Sequence, residues 1–384
     1  MPEKPPQFER PPVRVVGKSS EETKEKLRQK IAGRFREELS VSFSGSTIEK
    51  FKSLEYDKRP YELEFITAAN TKINELREKY GLQPFQVSPE KFHIVPQGLL
   101  KEAGYSTDFV GLQDSNRQII VANAELLRHS KVGTGRSILH EITHLMGYVA
   151  FEALDEDSEA EEKETDNKGA KKPDSDNDNT NKKDTRWIWS VYRMGLMTFS
   201  TTRKFDKDDD HESFRGLNEA IVSEIEDMYS GGVIDDSNDP EVMKELAWIR
   251  SDEALEIKKR ISKEKNIPEN EITWVNKNQK SAITATEKTY RLQRKVLHFL
   301  VEEMAEDTDK STGEIIDMFF RAHFTGNLID LARIINKTFE DDLAFRTIGM
   351  MGSEPKDGRQ MLDYLKKKRA LIKKKRNKEN AKEN

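Results

Sequence analysis

Ser137-Ile-Leu-His-Glu-Ile-Thr-His-Leu-Met-Gly147 contains His140-Glu141-Ile142-Thr143-His144, an H-E-x-x-H pattern. On a helix, residues four apart share a face about one turn apart, so His140 and His144 point the same way. Two neutral imidazoles at that spacing can reach one tetrahedral Zn²⁺, and Glu141 on the same turn is placed to act on a water at the metal. The chain has seven histidines in 384 residues. A chance occurrence of the pattern is expected only about 0.01 times in such a chain. The rival reading is a buried helix with two satisfied histidines. Ile138, Leu139, Ile142, Leu145 and Met146 surround the pair, and burying two histidines and a glutamate is unfavourable unless something pairs with them. Thr134 or Ser137 is expected to cap the helix and Gly147 to end it.

Outside this helix the chain is polar. Charged residues make up 35%, mean hydropathy is -0.82 and the net charge is -5. No global attraction to nucleic acid or membrane follows. There are no cysteines, which excludes disulfides and Cys-ligated zinc. The N-terminus lacks an apolar signal region, and no run of about 18 apolar residues occurs, so a soluble cytoplasmic protein is the expectation.

The pattern along the chain divides it. Residues 1–20 are Pro-rich and read as a disordered lead. A charged helix (Glu21 to Leu39) lies within a segment running to 59. A helix from about Tyr61 to Tyr80 is stopped by Gly81. Strands follow at Phe92–Pro96, Asp108–Leu112 and Gln118–Ala122, the last two forming a hairpin through Asp114-Ser-Asn116. With the motif helix next, the order is α+β. Residues 155–185 are almost without apolar side chains and read as a flexible insertion. Within it Asp174-Ser-Asp-Asn-Asp178 has calcium-loop spacing but lacks the required Gly and distal Glu. Trp187 to Phe199 reads as one or two strands, with Trp187, Trp189 and Met197 as core residues and a substrate pocket as their rival role. A polar loop, Thr202 to Ser213, leads to a helix over Gly216–Ile225, broken by Gly231-Gly232. The segment 231–358 reads as helical, at about 239–263, 281–306, 311–322 and 327–339. Residues 359–384 are a basic helix or tail. A solvated charged tail is the simplest account of Lys366–Arg376, and it is the only hint of nucleic acid.

A catalytic zinc needs a third protein ligand and an open position. A third histidine six residues past His144 is excluded, because Ala150 stands there. The best alternative is Glu219 in Asn218-Glu219-Ala220, with Glu224 next. At these two motifs, over roughly residues 60–230, the chain resembles the gluzincin branch of the zincin metallopeptidases. The resemblance implies a zincin-like half completed by the helical C-terminal half, with His140, His144 and Glu219 as ligands and Glu141 as general base. It implies hydrolysis of a peptide or protein substrate, and a strand before the metal helix, Gln118–Ala122, that pairs with the substrate backbone. Two features depart from the family. Glu219 lies 75 positions after His144, a long gap, and the aspartate expected four residues after the ligand is replaced by Ser223, followed by Glu224. Tyr290, His211, Tyr229 and His323 are candidates for the oxyanion donor, with Tyr290 preferred. A non-catalytic zincin-fold zinc-binding protein is the alternative, and the intact Glu141 argues against it.

Overall fold

The computed structural model describes residues 14–16, 21, 24–25, 45–104, 110–114, 119–154, 189–204, 207–277 and 283–383. The expected lead at 1–20 (apart from 14–16), most of the helix at 21–39, the 155–185 insertion with Asp174–Asp178, and Trp187 lie outside them.

Strand β1 is Arg14–Val16 and helix α1 is Gly45–Leu54. Helix α2, Pro60–Lys79, begins with Pro at its first position, and the Arg59 N–H donates to Glu62 Oε2 at 2.7 Å. Proline has no N–H to leave orphaned there, and the carboxylate satisfies a neighbouring donor. Tyr61, Phe65, Ile66, Ala69, Ile73 and Leu76 form its buried stripe, and Gly81 ends it at φ 72°.

Strands β2 (Phe92–Val95), β3 (Gly111–Asp114) and β4 (Ile119–Asn123) make a three-stranded sheet in the order β2-β4-β3, with the short helix α3 (Gln97–Glu102) after β2. β2 runs parallel to β4 and β3 antiparallel to it, with Leu112 opposite Val121. The expected hairpin is present, but its first strand sits three residues later than the 108–112 run suggested. β4 alternates between two cores. Ile120 and Ala122 join the main core, while Ile119 and Val121 pack with Phe51, Val95, Leu99 and Leu100. This is the period-two signature of a strand buried on both faces.

After the short helix α4 (Ala124–Leu127) comes α5, Lys131–Met146, which carries the H-E-x-x-H pattern. A second sheet follows: β5 (Val149–Leu154), β6 (Trp189–Met194), β7 (Met197–Lys204) and β8 (Lys207–Ser213) form an antiparallel meander, and β1 adds in parallel to β5. The polar loop expected at 202–213 is therefore strand at 202–204 and 207–213. Thr198, Phe199, Thr201 and Thr202 favour extended chain, and the partner β8 is held by ladder bonds that no local hydrophobic pattern signals. Met197 is buried against Val149 and Met194, as a core residue should be.

Helix α6, Arg215–Tyr229, crosses α5. The Gly231-Gly232 pair does not end helical structure; it opens the short α7, Gly231–Ile234. The helix expected over 239–263 is two, α8 (Pro240–Ile249) and α9 (Asp252–Lys265), because Ser251 takes an extended backbone and accepts the Ala254 N–H as an N-cap. The start of the expected 281–306 helix is instead strand β10 (Ile283–Glu287), paired with β9 (Ile272–Lys277). The helix α10 runs only from Arg291 to Glu306. Then come α11 (Thr312–Thr325), α12 (Ile329–Thr338), α13 (Ala344–Gly349) and α14 (Pro355–Glu383). One apolar core extends from Tyr61 on α2 to Leu365 on α14, so the C-terminal helices pack on the same core as α5.

The basic stretch belongs to α14, and part of its charge is turned inward. Arg369 is 2% exposed, reaching Glu303 and Asp307 at 2.5 Å each and the Thr338 carbonyl at 2.9 Å. Lys373 pairs with Glu306 at 2.6 Å and Arg376 with Asp307 at 3.0 Å. Burial opposes the Asp307 charge, but the bonds from Arg369 and Arg376 outweigh it and hold its carboxyl below the usual range. Lys366, Lys367, Lys374 and Lys378 face solvent. No helix among the described residues is long and apolar enough to cross a membrane.

Candidate metal centre

The metal helix is fixed from both ends. Its N-cap is Ser130, whose Oγ accepts the Gly133 N–H at 2.9 Å. Neither Thr134 nor Ser137 caps it: the Thr134 hydroxyl donates to the Leu127 carbonyl at 2.6 Å from inside the helix. At Gly135 an added Cβ would come within 2.8 Å of Ile234 and 3.3 Å of Phe65, so this glycine sets how closely α5 lies on α2 and α7. Gly147 ends the helix as expected.

Opposite stands α6. Phe214, at φ 65°, precedes its first residue, and Asn218 and Glu219 follow one turn in. Glu219 Oε2 lies 3.2 Å from His144 Nε2 and 3.5 Å from His140 Nε2, and the two Nε2 atoms are 3.2 Å apart. Three donor atoms thus mark a triangle with nearly equal edges. Ligands held tetrahedrally at ~2.0–2.1 Å from zinc are ~3.3–3.4 Å apart, which these edges match. Among the described residues, His140, His144 and Glu219 form the one group of this kind. The His144 side chain is 4% exposed, whereas His140 and Glu219 are each 12% exposed. The triangle is therefore closed on the His144 side and less enclosed on the side of His140 and Glu219.

His140 is held from behind by an acceptor, as orientation of a ligand requires, and His144 has an amide side chain behind it. His140 Nδ1 lies 3.1 Å from Glu226 Oε2. Glu226 is in turn gripped by Arg136, whose Nε donates to Oε1 at 2.7 Å and whose Nη2 donates to Asp227 at 2.6 Å. Sequence reasoning missed Glu226. It looked four residues past Glu219 and fell back on Glu224, which instead pairs with Arg294 at 2.8 Å and His298 at 3.0 Å. The available signal was the helical repeat, since a residue seven positions on lies two turns along the same face. Behind His144 stands Asn218, with Nδ2 3.4 Å from His144 Nδ1 and Oδ1 accepting the Leu196 N–H at 3.1 Å.

Of the oxyanion-donor candidates, the structure brings Tyr290 to the site. Its ring stacks on that of His140 with centroids 6.2 Å apart, which brings it beside Glu219. It sits at φ 49°, an uncommon left-handed conformation for a tyrosine, at the N-cap of α10. Burial, then the charges of Glu219 and Glu141, push its hydroxyl far above the ordinary range, so it stays protonated and able to donate. Tyr229 packs against the main core. His211 lies on β8 opposite Ser200. His323 is fully buried behind His144, not on the less enclosed side.

Glu141 lies against β3: a Cβ at Gly111 would fall 2.7 Å from its Oε1. Burial pushes its carboxyl up, against the pull of His140 and His144. For Glu219, burial acts the same way but is outweighed by His144 and His140, so it stays ionised. For His140, burial disfavours charge, yet Glu219 and Glu226 outweigh it and raise its pKa well above 6.5. Three carboxylates, Glu141, Glu219 and Glu226, crowd the two imidazoles and favour positive charge among them. A divalent cation meets the same need, and the donor set of two imidazoles and one carboxylate suits zinc.

No family model, curated protein or solved structure matches this chain, so the reading of the site rests on its geometry.

Proposed function

We propose that this protein is a zinc-dependent metallopeptidase of the gluzincin type, cleaving peptide bonds in a peptide or protein substrate. The observation that supports this most is the near-equilateral convergence of His140, His144 and Glu219, with edges of 3.2 to 3.5 Å, beside Glu141. His140, His144 and Glu219 hold the ion. When bound, zinc supplies Lewis acidity, polarising a carbonyl and acidifying a water.

The remaining work falls to the chain's own groups. Glu141 takes the proton of the attacking water and passes it to the leaving amine. Its raised proton affinity suits a group that must hold that proton between the two transfers. Tyr290 donates its hydroxyl toward the carbonyl oxygen as charge grows there. The substrate backbone adds to a sheet edge, but not at Gln118–Ala122 as the sequence suggested. β4 is the central strand, with β2 on one side and β3 on the other. Among the described residues no strand pairs with the outer side of β3, whose Gly111 lies against Glu141. An extended peptide bonded along β3 passes beside the general base.

Metal analysis of purified protein, with a peptide-library cleavage assay on wild type and Glu141→Gln, tests this reading. Both forms are expected to carry zinc, and cleavage by the variant should drop by about 10²-fold or more. Equal turnover by the two proteins would rule the mechanism out.

A further inference from the structure

The support behind His144 does not end at Asn218. His323, on α11, has no exposed surface. Its Nδ1 lies 3.1 Å from Asn218 Oδ1, and its Nε2 lies 3.3 Å from the carbonyl oxygen of Thr143, the residue before His144. One ring therefore touches both the amide beside His144 and the backbone that carries it. Just past the metal helix, the Tyr148 N–H donates to the His323 carbonyl at 2.9 Å.

Two glycines make room for the ring. A Cβ at Gly195 would fall 2.5 Å from His323 Nδ1 and 2.4 Å from Asn218 Oδ1, and Gly195 itself takes φ +57°. A Cβ at Gly147 would fall 2.8 Å from His323 Nε2. Packing alone does not account for a histidine here. An apolar ring fills the same space without the penalty of desolvating two nitrogens.

We propose that His323 is a positioning residue for the metal ligand His144, acting through the Asn218 amide and the Thr143 carbonyl. The proposal rests on the reading of His140, His144 and Glu219 as a metal site. It gives the C-terminal helices a share in metal affinity although they supply no ligand.

The test is a double-mutant cycle on zinc affinity, measured by chelator competition in wild type, His323→Phe, Asn218→Ala and the double variant. Phenylalanine keeps the ring volume and removes both polar contacts. Each single change is expected to weaken zinc by about tenfold, the lower range for outer partners of a metal ligand. The double variant should lose clearly less than the product of the two single losses, because the Asn218 route is shared while the Thr143 contact is not, and coupled groups are not additive. His323→Gln, whose amide N–H can still donate to one of the two oxygens, should recover part of the affinity. Unchanged zinc binding in His323→Phe, or losses that simply add in the double variant, would overturn the proposal even if the melting temperature falls. If His323→Phe does not fold, His323→Gln carries the cycle: its smaller loss must also shrink in the Asn218→Ala background. Failure of the wild type to bind zinc removes the metal reading itself, a result distinct from either.

Discussion

The two histidines of the proposed metal site sit one turn apart on one helix, yet opposite kinds of support hold them. Behind His140 the network is ionic: Glu226, Arg136, Asp227 and Arg294 alternate in sign, joining α5, α6 and α10. Behind His144 the network is neutral, made of Asn218, the Thr143 carbonyl and His323. The difference follows exposure. His140 is on the less enclosed side of the triangle, where partial hydration lowers the penalty of a charge network. His144 is on the closed side, where an unmatched charge is far more unfavourable and amide and carbonyl groups serve instead. The ionic side depends on charge balance, and the neutral side on fit.

Removing Glu226 should have the largest effect. Glu226→Ala frees His140 Nδ1 and leaves Arg136, whose side chain is 13% exposed, with one carboxylate partner fewer. Breaking a mostly buried ion pair from one side destabilises by about 3 kcal/mol. Loss of the outer partner should also weaken zinc by about 10- to 100-fold. Denaturant unfolding and chelator competition read the two effects separately. Zinc affinity within twofold of wild type would mean that His140 needs no ionic support.

The same division explains what the sequence disclosed. The histidine pair and Glu141 were legible because a metal motif on one helix turn is a local pattern. Glu219 was legible as a carboxylate on a downstream amphipathic helix. Glu226 was passed over because a fixed four-residue spacing was sought where the helix offered seven. His323 stands 105 residues from Asn218, and nothing in its neighbourhood, Phe319 to Phe324, marks it as other than a core position. The fold divides likewise. α2, β2, β4 and α6 announce themselves by their own apolar periodicity. β8, with Lys207-Asp-Asp-Asp-His-Glu-Ser213, is strand only because β7 lies beside it, and a distant partner leaves no trace in a local pattern.

A smaller effect is expected from pH on the neutral side. Burial, then the nearby His144, lower the pKa of His323 from the ordinary 6.5 to about 3, opposed by Thr143 and Glu219 and aided by Arg77. Between those values the unfolded chain binds a proton at this position and the folded chain does not. Stability is therefore lost as pH falls through this window, by up to about 1.4 kcal/mol per pH unit from this group. In metal-free protein, wild type should lose stability relative to His323→Phe at up to about that rate on acidification from pH 6.5 to pH 4. A gap independent of pH would show that the ring is not held neutral, and the contrast between the two supports would then be wrong in kind.

The smallest expected effect tests whether the two supports are separate. Arg136 donates to Glu226, Asp227 and the Ser230 hydroxyl at 2.7, 2.6 and 3.2 Å, a fork that one ammonium cannot reproduce. Arg136→Lys keeps the charge, so the loss should be modest, about 1 kcal/mol in stability and a few-fold in zinc affinity. Arg136 and His323 share no hydrogen-bond partner and stand behind different ligands. Their effects on zinc binding should add to within about 0.5 kcal/mol in the Arg136→Lys, His323→Phe double variant. Coupling well beyond that would mean that tilting one imidazole moves the other through Glu219, the residue both face. The site would then respond as a single rigid unit, and the ionic and neutral supports would be two ends of one brace.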